Sequence, residues 1–317
     1  VVQIYSSGRG PIRACTGFGA KKIRVNNMSV LQAILLGAVQ GVTEFFPVSS
    51  SGHLTLVSNL MGIEGTISFM FTIMLHIGTL LAVVAVFYKD ILRLLTELVR
   101  MAADLAANLK LRFSGRGNPD EIRYRKIISN NYRKFVLLLV VSMIPTGIIG
   151  YLICPLSEAV TGNLLASGMG LLVTALLLLV ASFVLGSDKG PKEAKYTDAL
   201  LIGAFQGFAA FPGISRLGMT VSSSYLSGFS RKFVLKYAFI LSVPTIVGAM
   251  ILEGRRASFS MGNNVGVLPC IIAMITAAVV GFLVIRLAMH LINKKRSRLF
   301  AGYCILIGII SAVCYLK

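Results

Sequence analysis

Two short stretches hold side chains that can do chemistry in an otherwise apolar sequence. The first runs Gln40-Gly-Val-Thr-Glu44-Phe-Phe-Pro47-Val-Ser49-Ser50-Ser51-Gly52-His53. Gln40 and Glu44 are four residues apart, so on a helix they share a face. Three serines and a histidine follow. Serines beside a helix break are often only caps, but capping does not explain Glu44 and His53 together. The second stretch runs Pro212-Gly213-Ile214-Ser215-Arg216-Leu217-Gly218-Met219-Thr220. Arg216 is a fixed positive fork suited to phosphate oxygens. Gly213 and Gly218 allow close backbone approach, and a following helix would aim its free N–H groups at an anion. An Arg216–Glu44 salt bridge is the plainer reading, and it is compatible with anion binding. A carboxylate, hydroxyls, an imidazole and an arginine together suit phosphoryl chemistry. In that scheme Glu44 holds a cation, Arg216 binds the phosphates, and a hydroxyl or water attacks.

The elements that position these residues are membrane helices. The chain has 317 residues, 56% hydrophobic and only 14% charged, where soluble domains carry about 25% charged residues. Mean hydropathy is +0.80. Apolar runs at 69–88, 134–153, 164–186, 235–252, 267–290 and 299–316 are each of a length to cross a core of roughly 30 Å. A carboxylate at that depth is costly and marks a functional site by default. The apolar segments before the two polar stretches, 30–46 and 199–211, are shorter and broken by Pro, Gly and Ser. Such breaks are tolerated at membrane depth only where the backbone is buried in protein or lines a polar cavity. They predict two re-entrant hairpins.

The hairpins are copies. A shift of 166 residues places Leu35–Gly41 on Leu201–Gly207, and Leu75–Thr79 on Leu241–Thr245. The expected fold is an all-α polytopic membrane protein with six transmembrane helices and two re-entrant hairpins. Three crossings per copy make the repeat inverted, with halves at about 28–160 and 195–317. Such repeats put their site at the broken segments.

Basic residues set the orientation. Loop 88–134 holds 11 Lys and Arg, and loops 187–197, 229–236 and 293–298 add ten more. The opposite loops hold two, Arg255 and Arg256. The positive-inside rule puts the rich side in the cytoplasm. Within 88–134, residues 91–109 are expected to form an amphipathic helix on that surface. The net charge of +19 therefore reports topology, and no nucleic-acid motif accompanies it.

The remaining features carry less. Five cysteines show no metal or redox spacing and read as small buried hydrophobes. His76 reads as a packing or supporting residue on a crossing, and His290 as an interfacial one. Residues 1–27 are polar and basic and lack a signal-peptide core. They are expected to be a non-native or disordered extension ahead of Met28, leaving 28–317 as one membrane domain.

EFFPVSSSGH and FPGISRLGMT resemble the two motifs of the bacterial undecaprenyl-diphosphate phosphatases, the bacitracin-resistance protein family. The likeness covers essentially all of 28–317. It implies inverted repeats with two re-entrant hairpins, and hydrolysis of undecaprenyl diphosphate to undecaprenyl phosphate and phosphate, aided by Mg²⁺ or Ca²⁺. That reaction recycles the lipid carrier for peptidoglycan and underlies bacitracin resistance. It also implies a bacterial cell membrane, with a site open to the extracytoplasmic side. The family's acidic element falls on Gln40 and Glu44, its serine–histidine stretch on Ser49, Ser50, Ser51 and His53. Its second element falls on Pro212, Gly213, Ser215, Arg216 and Thr220. On that mapping Glu44, Ser50, His53 and Arg216 are the catalytic candidates. Ser49, Ser51, Gly213, Ser215, Arg216 and Thr220 are the phosphate-binding ones, and Gln40 and Glu44 hold the metal. Ser50 is the preferred nucleophile, water the next; His53 is an acid/base or an alternative nucleophile. Many members have Glu at Gln40 and Ser at Leu217, so this chain has one carboxylate and one hydroxyl fewer. The expected partners are the polyprenyl diphosphate and membrane lipids, with a homodimer left open and nucleic acid excluded. The rival reading is a lipid-phosphate transporter using the same inverted-repeat site, but transport alone has no need of a nucleophile beside a carboxylate.

Overall fold

A computed structural model of the chain describes residues 28–63, 68–113, 124–184, 188–257 and 266–316. The expected extension at 1–27 lies outside them. Among the described residues there are ten helices and no β-strand. In chain order they are α1 (Val30–Thr43), α2 (Ser50–Leu60), α3 (Phe69–Phe113), α4 (Asn131–Ala159), α5 (Leu164–Phe183), α6 (Tyr196–Phe208), α7 (Arg216–Leu226), α8 (Arg231–Ala257), α9 (Val267–Leu291) and α10 (Lys294–Leu316). Six of them, α3, α4, α5, α8, α9 and α10, are long and apolar enough to cross a membrane. The chain is a multi-pass helical membrane protein, and the six crossings lie where the hydropathy places them.

The two helix pairs α1–α2 and α6–α7 are different. With 14, 11, 13 and 11 residues they reach about 16–21 Å at 1.5 Å per residue, short of the roughly 30 Å core. Their starts are written in the sequence. Ser29 caps α1, its hydroxyl accepting from Gln32 N while Gln32 Oε1 accepts from Ser29 N at 2.8 Å. Ser49 and Ser215 cap α2 and α7 by accepting from Gly52 N and Gly218 N.

Lipid gives helices no hydrophobic reason to associate, so close packing of small residues must hold them. On α1, a Cβ at Gly37 would lie 2.6 Å from the Ala273 carbonyl of α9, and one at Gly41 2.9 Å from that of Ala277. On α6, a Cβ at Gly203 would lie 2.0 Å from the Ser142 carbonyl of α4, and one at Gly207 2.7 Å from Ile149 Cβ. Those two glycine pairs are 166 residues apart. Each short pair is thus laid against a crossing of the other half, by equivalent residues of the two copies.

The expected amphipathic stretch 91–109 is helical. It lies in the part of α3 beyond a kink at Phe87, where φ −107° and ψ 19° break the helical geometry and separate it from the crossing. Leu94, Glu97 and Met101 face inward, one helical face apart by three and four residues. Beneath them Arg133 donates to Glu97 Oε2 at 2.9 Å and to Asp104 Oδ2 at 2.8 Å, and Arg93 stacks on the Tyr132 ring at 3.8 Å. Arg133 holds both carboxyls below the usual carboxylate range.

Candidate active site

The two polar stretches meet on α5. Gly213 has φ +84°, and a Cβ there would lie 2.0 Å from the Ser167 carbonyl of α5. A Cβ at Gly170 would lie 2.2 Å from the Pro212 carbonyl, so the 212–214 turn rests directly on the α5 backbone. Thr174 of α5 then accepts from Ser215 N at 2.9 Å and fixes the start of α7. The first turn is pinned on its other flank by aromatics: Phe45 fills the space over Gly281 of α9, and Phe46 packs on Phe300 of α10. The turns are joined directly, since Gly213 N donates to Ser51 Oγ at 3.1 Å.

A cavity of about 440 Å³ opens over this junction. Its lining includes Gln40, Glu44, Ser50, Ser215 and Arg216. Glu44, with a side chain 7% exposed, is the centre. Its Oε2 accepts from Ser50 Oγ at 2.6 Å and from Gln40 Nε2 at 3.2 Å. Its Oε1 lies 3.6 Å from Arg216 Nη1. That is an ion-pair distance, too long for a hydrogen bond, and this buried Nη1 makes no hydrogen bond among the described residues. The guanidinium therefore keeps donors for a ligand, and the short Ser50 contact has the length of a charge-assisted O–H···O⁻ bond.

Ser49 and Ser51 also line the cavity, 3.3 Å apart at their Oγ atoms. Two of the proposed phosphate contacts stand apart from it. Gly213 acts through its backbone turn. Thr220 shares its hydroxyl proton between Gln206 Oε1 and the Arg216 carbonyl, both at 2.9 Å. His53 stands apart as well. Its Nδ1 lies 2.7 Å from the Ser49 carbonyl, its Nε2 2.8 Å from the Tyr303 hydroxyl of α10, and it does not line the cavity.

Spacing reasoning missed three features. His76 lines the cavity and is close enough to Glu44 to interact with its charge. The available signal was Thr72–His76, an i,i+4 polar pair on an otherwise apolar crossing. Thr55 and Ser58 of α2 and Cys154, Ser157 and Thr161 also line the cavity and add uncharged polar groups to it. Tyr303 carried no signal, being one tyrosine in a lipid-facing helix.

The fit to a divalent cation rests on oxygen atoms. Among the described residues no three His, Cys, Asp or Glu cluster to hold a metal. Gln40, however, is 1% exposed and its Oε1 has no hydrogen-bond partner. A buried carbonyl oxygen of this kind beside a carboxylate suits a hard cation, which fills its other positions with phosphate oxygens and water.

A profile of the bacitracin resistance protein BacA family matches residues 33–310. A protein of Methanosphaera stadtmanae is 36% identical over 286 residues, covering 90% of this chain and 98% of its own length. One of Alkaliphilus metalliredigens is 37% identical over 282 residues, covering 89% and 97%. One of Desulforapulum autotrophicum is 35% identical over 288 residues, covering 90% and 98%. All three carry the name undecaprenyl-diphosphatase.

Proposed function

The chain belongs to the bacitracin resistance protein BacA family, and from that membership we propose that it is an integral-membrane undecaprenyl-diphosphatase. It hydrolyses undecaprenyl diphosphate to undecaprenyl phosphate and inorganic phosphate, and so recycles the lipid carrier for peptidoglycan and confers resistance to bacitracin. The observation that carries this reading is the Ser50–Glu44–Arg216 constellation in one cavity. The names of the relatives favour a hydrolase over the transporter reading.

The geometry supports the following course. Arg216 and Ser215 bind the diphosphate at the start of α7, where free N–H groups and the helix dipole favour an anion. Glu44 Oε2, already hydrogen-bonded to Ser50, takes the hydroxyl proton as Ser50 Oγ attacks the terminal phosphorus. The bond from that phosphorus to the bridging oxygen breaks, and the prenyl phosphate leaves with the electron pair and takes the proton from Glu44. Water then attacks the phosphoserine and gives a proton to Glu44; the bond from phosphorus to Ser50 Oγ breaks, phosphate is freed, and Glu44 returns the proton to Ser50 Oγ. Gln40 and Glu44 would hold Mg²⁺ or Ca²⁺, which supplies charge neutralisation at the diphosphate.

The protein sits in a bacterial cell membrane, its two short helix pairs entering as re-entrant hairpins. A site open to the extracytoplasmic side is supported by the cavity's lining residues at the ends of α4 and α8 remote from the basic loops. The test is phosphate release from undecaprenyl diphosphate by purified protein in detergent, where there are no sides to transport between. Unchanged release by Glu44→Ala or Arg216→Ala would sink the site.

A further inference from the structure

His53 is in a motif with the reactive residues but turns its ring away from them. What it holds is Ser49. Among the described non-glycine residues Ser49 alone has a positive φ, 66° with ψ 106°. For a residue with a Cβ such a conformation is strained and persists only when the surroundings enforce it. Ser49 is also the residue before Ser50, so its dihedral angles decide where the Ser50 hydroxyl points.

The enforcement is visible. The Ser49 carbonyl accepts from His53 N at 3.3 Å and lies 2.7 Å from His53 Nδ1. A carbonyl oxygen only accepts, so Nδ1 carries the proton. In the neutral ring Nε2 is then an acceptor, and the Tyr303 hydroxyl donates to it at 2.8 Å. The two rings are nearly parallel, 7° between planes with centroids 5.5 Å apart. The chain of contacts therefore runs from α10 through Tyr303 and His53 to Ser49. One residue further on, Ser50 Oγ lies 2.6 Å from Glu44.

We propose that Tyr303 and His53 form a clamp that holds Ser49 in its left-handed conformation and thereby aims the Ser50 hydroxyl at Glu44. Both are positioning residues: neither touches the cavity. Tyr303, 42% exposed on α10, fixes the tautomer and plane of His53 from the lipid side. The inference rests on the reading of Ser50 and Glu44 as the reactive pair.

The clamp predicts a coupling. Tyr303→Phe keeps the ring and removes the hydroxyl, leaving Nε2 without its donor. The loss of one such bond lowers kcat about tenfold, while KM stays within about twofold, because Arg216 and Ser215 are untouched. Glycine adopts positive φ without help, so Ser49→Gly makes the clamp redundant. Tyr303→Phe added to Ser49→Gly then costs less than about threefold in kcat. An equal loss in the two backgrounds, no loss in either, or a rise in KM alone overturns the proposal.

A second measurement does not depend on turnover. In protein labelled with ¹⁵N-histidine, one ring is locked as the Nδ1–H tautomer, and its signal shifts in Tyr303→Phe but not in His290→Gln. All rings in the Nε2–H form overturns the clamp. If wild-type protein releases no phosphate from undecaprenyl diphosphate, the functional reading fails, and the tautomer measurement still decides the clamp.

Discussion

Replacing Ser50 with alanine separates two roles for its hydroxyl by size of effect. Ser50 Oγ donates to Glu44 Oε2 at 2.6 Å, and Gln40 Nε2 donates to the same oxygen at 3.2 Å. If the hydroxyl only orients Glu44 for an attacking water, Ser50→Ala removes one hydrogen bond to a charged group. Such bonds contribute about 1.5–3 kcal/mol, which converts to about a 10- to 150-fold loss in kcat. Gln40 still holds the carboxylate. If Ser50 is the nucleophile, the covalent route is gone, and the loss is at least about 10⁴-fold, since removing a nucleophilic serine elsewhere costs about a millionfold. The expected result is the larger loss. The assay is initial-rate phosphate release from undecaprenyl diphosphate in detergent, with an acid quench to trap a phosphoserine. Ser51→Ala is the control, because its hydroxyl accepts from Gly213 N at 3.1 Å and its loss is worth about tenfold. Residual activity of Ser50→Ala within about 150-fold of wild type, with no trapped phosphoenzyme, refutes the serine route and leaves water as the attacking group.

Arg216→Lys keeps the charge but replaces a fork by a point donor; kcat/KM should fall about 30- to 100-fold, read from substrate saturation curves. Gln40→Glu puts a second carboxylate where an amide oxygen stands unpartnered, so half-activation should need about tenfold less Mg²⁺ in a metal titration of activity. Gly213→Ala forces a Cβ to 2.0 Å from the Ser167 carbonyl at φ +84°; a destabilisation of at least about 2 kcal/mol should appear as a lower midpoint of thermal aggregation. Acid should loosen the base of α3. Arg133 depresses the carboxyls of Glu97 and Asp104 from ordinary values of 4.5 and 3.8, so their contribution is complete above those values and fades as pH falls through the lower folded ones. Below about pH 4 the difference in thermal midpoint between wild type and Arg133→Gln should therefore shrink.

Much of this arrangement is legible in the sequence, because membrane segments declare themselves by length and the two short pairs by their breaks. Spacing alone puts Gln40 and Glu44 on one face, and the 166-residue shift pairs Gly37 and Gly41 with Gly203 and Gly207. Spacing does not say which face of α2 meets the cavity. At about 100° per residue, Ser50, Ser51, Leu54, Thr55 and Ser58 cluster on one side. His53 falls on the other flank, toward α10. Membership of one motif therefore concealed two different jobs. His76 was hidden for the opposite reason: it lies far from both motifs in sequence and reaches Glu44 only because α3 packs beside α1. The amphipathic stretch 91–109 is legible too, as the helix beyond the Phe87 kink of α3; its pattern does not reveal that one non-helical residue, rather than a loop, joins it to the crossing.

The pairing of Arg216 with Glu44 has a consequence for the end of the cycle. A bare arginine at the bottom of a dry cavity would hold inorganic phosphate tightly, and the site would clog with its own product. Here an arriving phosphate must draw Arg216 from a carboxylate 3.6 Å away, and a departing one leaves a counter-charge in place. The cost of that competition falls on substrate and product alike, so the lipid tail and the second phosphate must supply the binding that the product lacks. Inorganic phosphate is therefore expected to inhibit only weakly, which product-inhibition curves would read.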